Sequence, residues 1–176
     1  MNNKLLLLGV FGLFILKSFA IYFTNFNLFG DEAQYWLWSK SLDFGYFSKP
    51  PFLAWAIYAY TNLFGDSYLA LKLLPSLIYF LIALAIYNLC VNIGFDKKNS
   101  LSCSLIFLFL PAVSFSSFII STDLFLLLFW TLSLNEFVKI MKLQKINNFV
   151  LMGIFIGLGF LSKYAAVYFI ICFFLY

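Results

Sequence analysis

Seven carboxylates and eleven lysines are all the side-chain charge in 176 residues, and there is no histidine or arginine. Their placement is uneven. The stretch FGDEAQYWLWSKSLDFGYFSKPPFLAW, residues 29–55, sets Asp31, Glu32, Asp43 and Lys49 among Trp and Tyr, in a chain that is otherwise close to hydrocarbon. A carboxylate near a low-dielectric boundary can take a proton from a reacting hydroxyl, so Asp31 and Glu32 are candidates for a general base. Two adjacent carboxylates also permit a divalent cation. Lys49 precedes Pro50 and Pro51, which stiffen the chain and hold residue 49 extended. An ammonium on such a stub, at the depth of lipid headgroups, suits a phosphate. Asp123 follows Ser121 and Thr122 at the start of an apolar run. Lys163 stands between two apolar runs, behind Gly157 and Gly159, which permit close helix packing.

Each of these residues has a plain structural reading as well. Asp31 and Glu32 suit a helix N-terminus, Asp123 suits a helix start, and Lys49 and Lys163 suit lysines whose stems lie in the membrane interface. Glu136 and Lys139, three apart, read as a local ion pair. What favours chemistry is that the unusual polar groups belong to separate turns on one side of the membrane.

The elements that must position them are membrane spans. The chain is 64% hydrophobic, 23% aromatic and 10% charged, outside the range of soluble domains. A span needs about 20 mostly apolar residues, and the runs 5–22, 68–95, 100–120, 124–141, 148–161 and 164–176 give five to six. The first is too long for a secretory signal and lacks an A-x-A site, so it reads as a retained anchor. Pro75 lies in the first turns of the second run, and Pro111 is expected to kink the third. With the N-terminus in the cytoplasm, Lys4, Lys97, Lys98, Lys139, Lys142 and Lys145 lie inside with Asp96 and Glu136. Lys40, Lys49, Lys72 and Lys163 then lie outside with Asp31, Glu32, Asp43, Asp66 and Asp123. That asymmetry is the expected one. The outer loop 23–67 holds two amphipathic segments. Ala33–Ser39 reads as a short helix rich in Tyr and Trp, with Asp31 and Glu32 at its N-terminus. Pro51–Phe64 is too short to cross a bilayer and reads as an interfacial helix.

The composition counts against several functions. The net charge of +4 comes from lysines that mark topology, so no nucleic-acid partner is expected. No glycine-rich phosphate loop or dinucleotide fingerprint occurs. Cys90, Cys103 and Cys172 lie in apolar runs and read as small hydrophobes. Without histidine or a CxxC pair, a structural zinc site is not expected. A small transporter subunit would need polar groups at the midplane, where these runs are nearly free of charge.

The ordered set "DEAQYWLWSKSLDFGYFSKPPFLAW", "YLALKLLPSLIYF", "STDLFLLLFWTLSL" and "GIFIGLGFLSKYAAV" resembles the N-terminal part of the dolichyl-phosphate-mannose-protein mannosyltransferase-like family. That family includes the bacterial aminoarabinose transferase of lipid A. The resemblance covers essentially residues 1–176. It implies an all-α integral-membrane bundle of the GT-C type, with amphipathic helices in the first outer loop. It also implies transfer of a sugar from a polyprenyl-phosphate donor to a lipid, glycan or protein acceptor on the periplasmic or extracellular face. By resemblance Asp31 is the catalytic base or acceptor-orienting acid, Glu32 its partner and Asp123 the second acid. Lys49, Lys163 and Tyr46 would stand near the donor phosphate. Lys72 stands where many relatives carry Arg, whose bidentate fork an ammonium cannot reproduce. Relatives are much longer, and the chain stops inside the apolar run 172–176, so the N-terminal portion of a longer enzyme is expected. The alternatives are a small multi-span transporter-like subunit, against which the charge-free centres of the runs count, or an inactive membrane subunit that folds with a partner.

Overall fold

The computed structural model describes residues 11, 12, 15, 16, 18–23 and 27–175. The expected first span, 5–22, lies largely outside them, with helical backbone at 18–23. Helix α1, Gly30–Ser39, starts three residues earlier than the aromatic pattern suggested, so Asp31 and Glu32 form its first turn. Their carboxylates face the positive end of the helix dipole. Helix α2, Phe52–Phe64, begins right after Pro51 and ends at Gly65, whose φ of 90° suits a residue without Cβ.

Helix α3, Tyr68–Ile93, and helix α6, Thr122–Leu143, are long and apolar enough to cross a membrane. Ser67 caps α3 by accepting the Ala70 N–H at 3.2 Å. Pro75 sits inside this helix, fully buried. Between the two long helices lie α4, Lys97–Phe109, and α5, Pro111–Ser116. Here the kinked span expected over 100–120 is instead two helices. Leu110 takes an extended conformation (φ −56°, ψ 129°), because a residue before proline is pushed out of the helical region, and Pro111 then opens a new helix at its first position. After α6, Gln144 turns through the left-handed region (φ 48°) into α7, Ile146–Ser162. At about 1.5 Å per residue, the 17 residues of α7 fall short of a hydrocarbon core about 30 Å thick. A 3₁₀ turn, Tyr164–Ala166, leads to α8, Val167–Leu175. The described residues thus hold two helices long and apolar enough to cross a membrane among shorter apolar ones.

Helix α6 is the centre of the bundle, packed against α3 on one side and α7 on the other, while α4 packs on α3 and α1 on α2. Ile57, Ile82, Ala83 and Leu124 are fully buried in one continuous core that also takes in Tyr35 of α1. Small polar residues tie the helices where side-chain bulk is least. The Ser104 hydroxyl donates to the Ala83 carbonyl at 2.7 Å, and the Asn135 amide to the Ala85 carbonyl at 2.9 Å. The loop segment is seated on the bundle by Phe52, whose ring meets Phe125 at 5.2 Å and Phe129 at 5.1 Å. The starts of α3 and α6 and the end of α7 lie at this loop end.

Candidate functional site

Glu32 is the most tightly held charged group at the loop end. It is fully buried, and its two oxygens take three donors. Oε2 accepts from the Lys72 ammonium at 2.6 Å and from the Phe29 N–H at 2.9 Å, while Oε1 accepts from the Ile120 N–H at 2.8 Å. Lys72 is 3% exposed and also reaches the Phe118 carbonyl at 3.4 Å. Beside it, the Ser76 hydroxyl donates to the Ser117 carbonyl at 2.9 Å. One carboxylate therefore joins α1 to α3 and to the 117–120 turn that leads into α6. A cavity of about 350 Å³ lies against Lys72, lined by Phe29, Tyr68, Phe115 and Phe118 among others.

Its neighbour Asp31 has the opposite setting. It is exposed and has no hydrogen-bond or ion-pair partner among the described residues. The two acids that the sequence leaves open to a shared divalent cation are thus divided: one faces solvent, the other faces Lys72. No group of three or more metal-ligating side chains comes together among the described residues.

Asp123 and Lys163 meet. Asp123 lies in the first turn of α6, Lys163 closes α7, and the ammonium donates to Asp123 Oδ1 at 2.6 Å. Lys163 is 34% exposed and Asp123 63%. Gly159 lies in this seam, where an added Cβ would stand at ordinary contact distance, 3.4 Å from Ala166 Cβ and 3.8 Å from Phe129 Cβ. The Lys163 backbone is fixed on both sides, its N–H donating to Gly159 at 2.9 Å and its carbonyl accepting from Ala166 at 3.0 Å.

Tyr35 feels the charge of both acidic positions. It lies one turn after Asp31, on the same face of α1. Burial pushes its phenol above the usual tyrosine value, and the charges of Asp31 and then Asp123 push it further. Both carboxylates are therefore within electrostatic reach of one neutral hydroxyl. Tyr35 stood out in the sequence only as part of an aromatic belt; its place four residues after Asp31 was the available signal.

Lys49 and Tyr46 form a different unit. Their backbones pair across a tight turn at 3.1 and 3.3 Å. The Tyr46 ring stacks on Trp38 at 4.7 Å, and its hydroxyl meets the Trp38 carbonyl, the Ser41 carbonyl and the Asp43 N–H at 3.1–3.2 Å. The Trp55 indole donates to the Asp43 carbonyl at 3.0 Å. Tyr46 thus spends its hydroxyl on the turn that presents Lys49. Lys49 itself is half-buried, precedes two buried prolines and has no ion-pair partner among the described residues. Lys40 pairs with Asp66, which also accepts from the Trp36 indole at 2.7 Å, and this ties α1 to the α2–α3 turn.

Chemically, the described residues of the loop end offer the exposed carboxylate of Asp31, the unpaired ammonium of Lys49 and two exposed ion pairs, Lys163–Asp123 and Lys40–Asp66, on a base locked by the buried Lys72–Glu32 pair.

Residues 48–176 match the family model described as dolichyl-phosphate-mannose-protein mannosyltransferase. Over 164 residues the chain is 35% identical to the lipid A galacturonosyltransferase RgtD of Rhizobium johnstonii (strain DSM 114642 / LMG 32736 / 3841), an alignment covering 92% of this chain and 34% of that protein. It is 29% identical over 156 residues to the lipopolysaccharide core galacturonosyltransferase RgtB of the same organism, covering 86% and 31%. The chain spans about a third of the length of these curated relatives. No solved structure matches it.

Proposed function

Because the chain belongs to the dolichyl-phosphate-mannose-protein mannosyltransferase family, we propose that it carries the first-loop catalytic part of a membrane glycosyltransferase. The sugar moves from a polyprenyl-phosphate donor to a lipid or glycan acceptor. By likeness to the two galacturonosyltransferases, the sugar is a galacturonic acid and the acceptor a lipopolysaccharide lipid. The loop end faces the outside, as the lysine distribution favours.

The observation that carries this reading is the contrast between Asp31 and Glu32. Adjacent in sequence, one is buried under three donors and the other is exposed and has no partner among the described residues. Such an arrangement holds a base in place while leaving it open to an acceptor hydroxyl. Asp31 takes the hydroxyl proton. The acceptor oxygen bonds to the sugar C1 as the bond from C1 to the phosphate oxygen breaks, and that electron pair leaves with the lipid phosphate. The configuration at C1 inverts. Lys49, unpaired on its pinned turn, meets the charge that grows on the departing phosphate. Asp123 and Lys163 form the second wall, and Glu32 acts through Asp31 as a positioning residue. The cavity beside Lys72 suits an apolar chain of one of the lipids.

The test is transfer of radiolabelled sugar from polyprenyl-phosphate galacturonate in membranes holding the chain, with Asp31→Asn beside it. Loss of general-base catalysis costs about 10²–10⁴-fold. Asp31→Asn is expected to lose that much while keeping its thermal stability, because the side chain holds nothing else in place. Full activity in Asp31→Asn removes Asp31 as the base.

A further inference from the structure

A uronic acid donor brings two anions to the site, the lipid phosphate and the C6 carboxylate of the sugar. Among the described residues the loop end has two ammonium groups outside buried pairs and outside the Lys40–Asp66 tie, and they sit in different settings. Lys49 has no counter-ion among the described residues and a backbone pinned by Tyr46. Lys163 is held by Asp123 at 2.6 Å and is 34% exposed.

We propose that Lys163, steadied by Asp123, reads the C6 carboxylate of a uronic acid on the donor and so sets the sugar class, leaving Lys49 to the phosphate. The proposal rests on the glycosyl-transfer reading above.

An ammonium has three N–H groups, and Asp123 takes one of those on Lys163. The exposure of both partners marks a weak pair, so the ammonium can turn toward a second carboxylate at little cost. Its Cα cannot wander, because the Gly159 and Ala166 backbone bonds hold it between α7 and the 3₁₀ turn. Asp123 sharpens the choice. With the ammonium present, the pair is neutral and offers two free N–H donors. With the ammonium gone, Asp123 would face the uronate as a bare like charge. The phosphate, whose charge changes during the reaction, is better served by the ammonium that no carboxylate already neutralises.

The experiment compares two donors that differ only at C6, polyprenyl-phosphate galacturonate and polyprenyl-phosphate galactose, in membranes holding wild type, Lys163→Met, Lys163→Arg and the double variant Asp123→Asn/Lys163→Met. A charge-assisted hydrogen bond corresponds to roughly 10–100-fold in specificity. Wild type is expected to prefer the uronate, and Lys163→Met to lower the uronate-to-hexose ratio of kcat/KM by about that factor. Lys163→Arg should keep most of the preference, and the double variant should recover part of what Lys163→Met loses, since the bare Asp123 charge is gone. A ratio unchanged in Lys163→Met, with both donors reduced alike, would make Lys163 a structural pin and overturn the proposal. A wild type that uses both donors equally overturns it too. A wild type that uses neither donor shows that this chain transfers no sugar by itself, which overturns this inference for the chain while its family membership stands.

Discussion

Lys72→Met breaks the buried pair while keeping the side chain's bulk. Glu32 would remain fully buried, with its Phe29 and Ile120 N–H donors but without its counter-ion. The magnitude follows from where the pair sits. Exposed ion pairs are worth about 0–1 kcal/mol. Here the Lys72 and Glu32 side chains are 4% and 0% exposed, so the buried case applies, in which removing one partner costs about 3–5 kcal/mol. The loss is expected to act locally as well as globally, because the same carboxylate anchors the 117–120 turn and the start of α1. Hydrogen exchange in lipid nanodiscs should show lost protection at Ile120 and over α1, with a lower thermal midpoint for the whole chain. Lys72→Arg is expected to recover most of the stability, since its guanidinium can reach Glu32 and has room in the neighbouring cavity of about 350 Å³. A double-mutant cycle with Glu32→Gln isolates the pair term. A loss below about 1 kcal/mol in Lys72→Met, in the range of exposed pairs, would refute the reasoning, because it would mean that water replaces the ammonium freely.

Three further outcomes follow from the same geometry. Tyr46→Phe removes the hydroxyl shared by the Trp38 and Ser41 carbonyls and the Asp43 N–H, and should cost about 1 kcal/mol and raise exchange at Asp43 and Lys49. Gly159→Ala should be tolerated, since its Cβ would meet Ala166 and Phe129 at ordinary contact distances, whereas Gly159→Leu should overpack the α6–α7 seam by about 1–3 kcal/mol, read as a lower thermal midpoint. The carboxyl of Asp66 lies below the usual aspartate range, chiefly because Lys40 and then Trp36 bond to it. A depressed folded value means that its tie is present above the unfolded pKa and is lost as pH falls through the folded one. The Trp36 indole N–H resonance should therefore stay constant through neutral pH and shift only on acidification below the ordinary aspartate range.

The aromatic and acidic pattern of residues 31–39 was enough to locate α1 and to put two acids at its N-terminus, because a first-turn carboxylate is a local signal. What separates those two acids in role is not local. The Glu32 partners lie 40 residues away at Lys72 and 88 residues away at Ile120, and they depend on how α3 and the 117–120 turn pack. Position 72 shows the difficulty from the other side. Judged by the bidentate fork that an arginine offers, a lysine there looked ill-suited to a carboxylate. In the fold, the remaining oxygen of Glu32 already serves the Ile120 N–H and Oε2 is shared with Phe29, so one point charge at 2.6 Å completes the set. Pro111 teaches the same lesson at the backbone. Hydropathy runs across it without a break, yet Leu110 leaves the helical region before it, and the two helices that result set the turn whose N–H closes on Glu32. The site's chemistry-bearing residue types were legible one by one. Which of them are free to act is decided by these long-range hydrogen bonds, and the freedom of Asp31 follows from the confinement of Glu32.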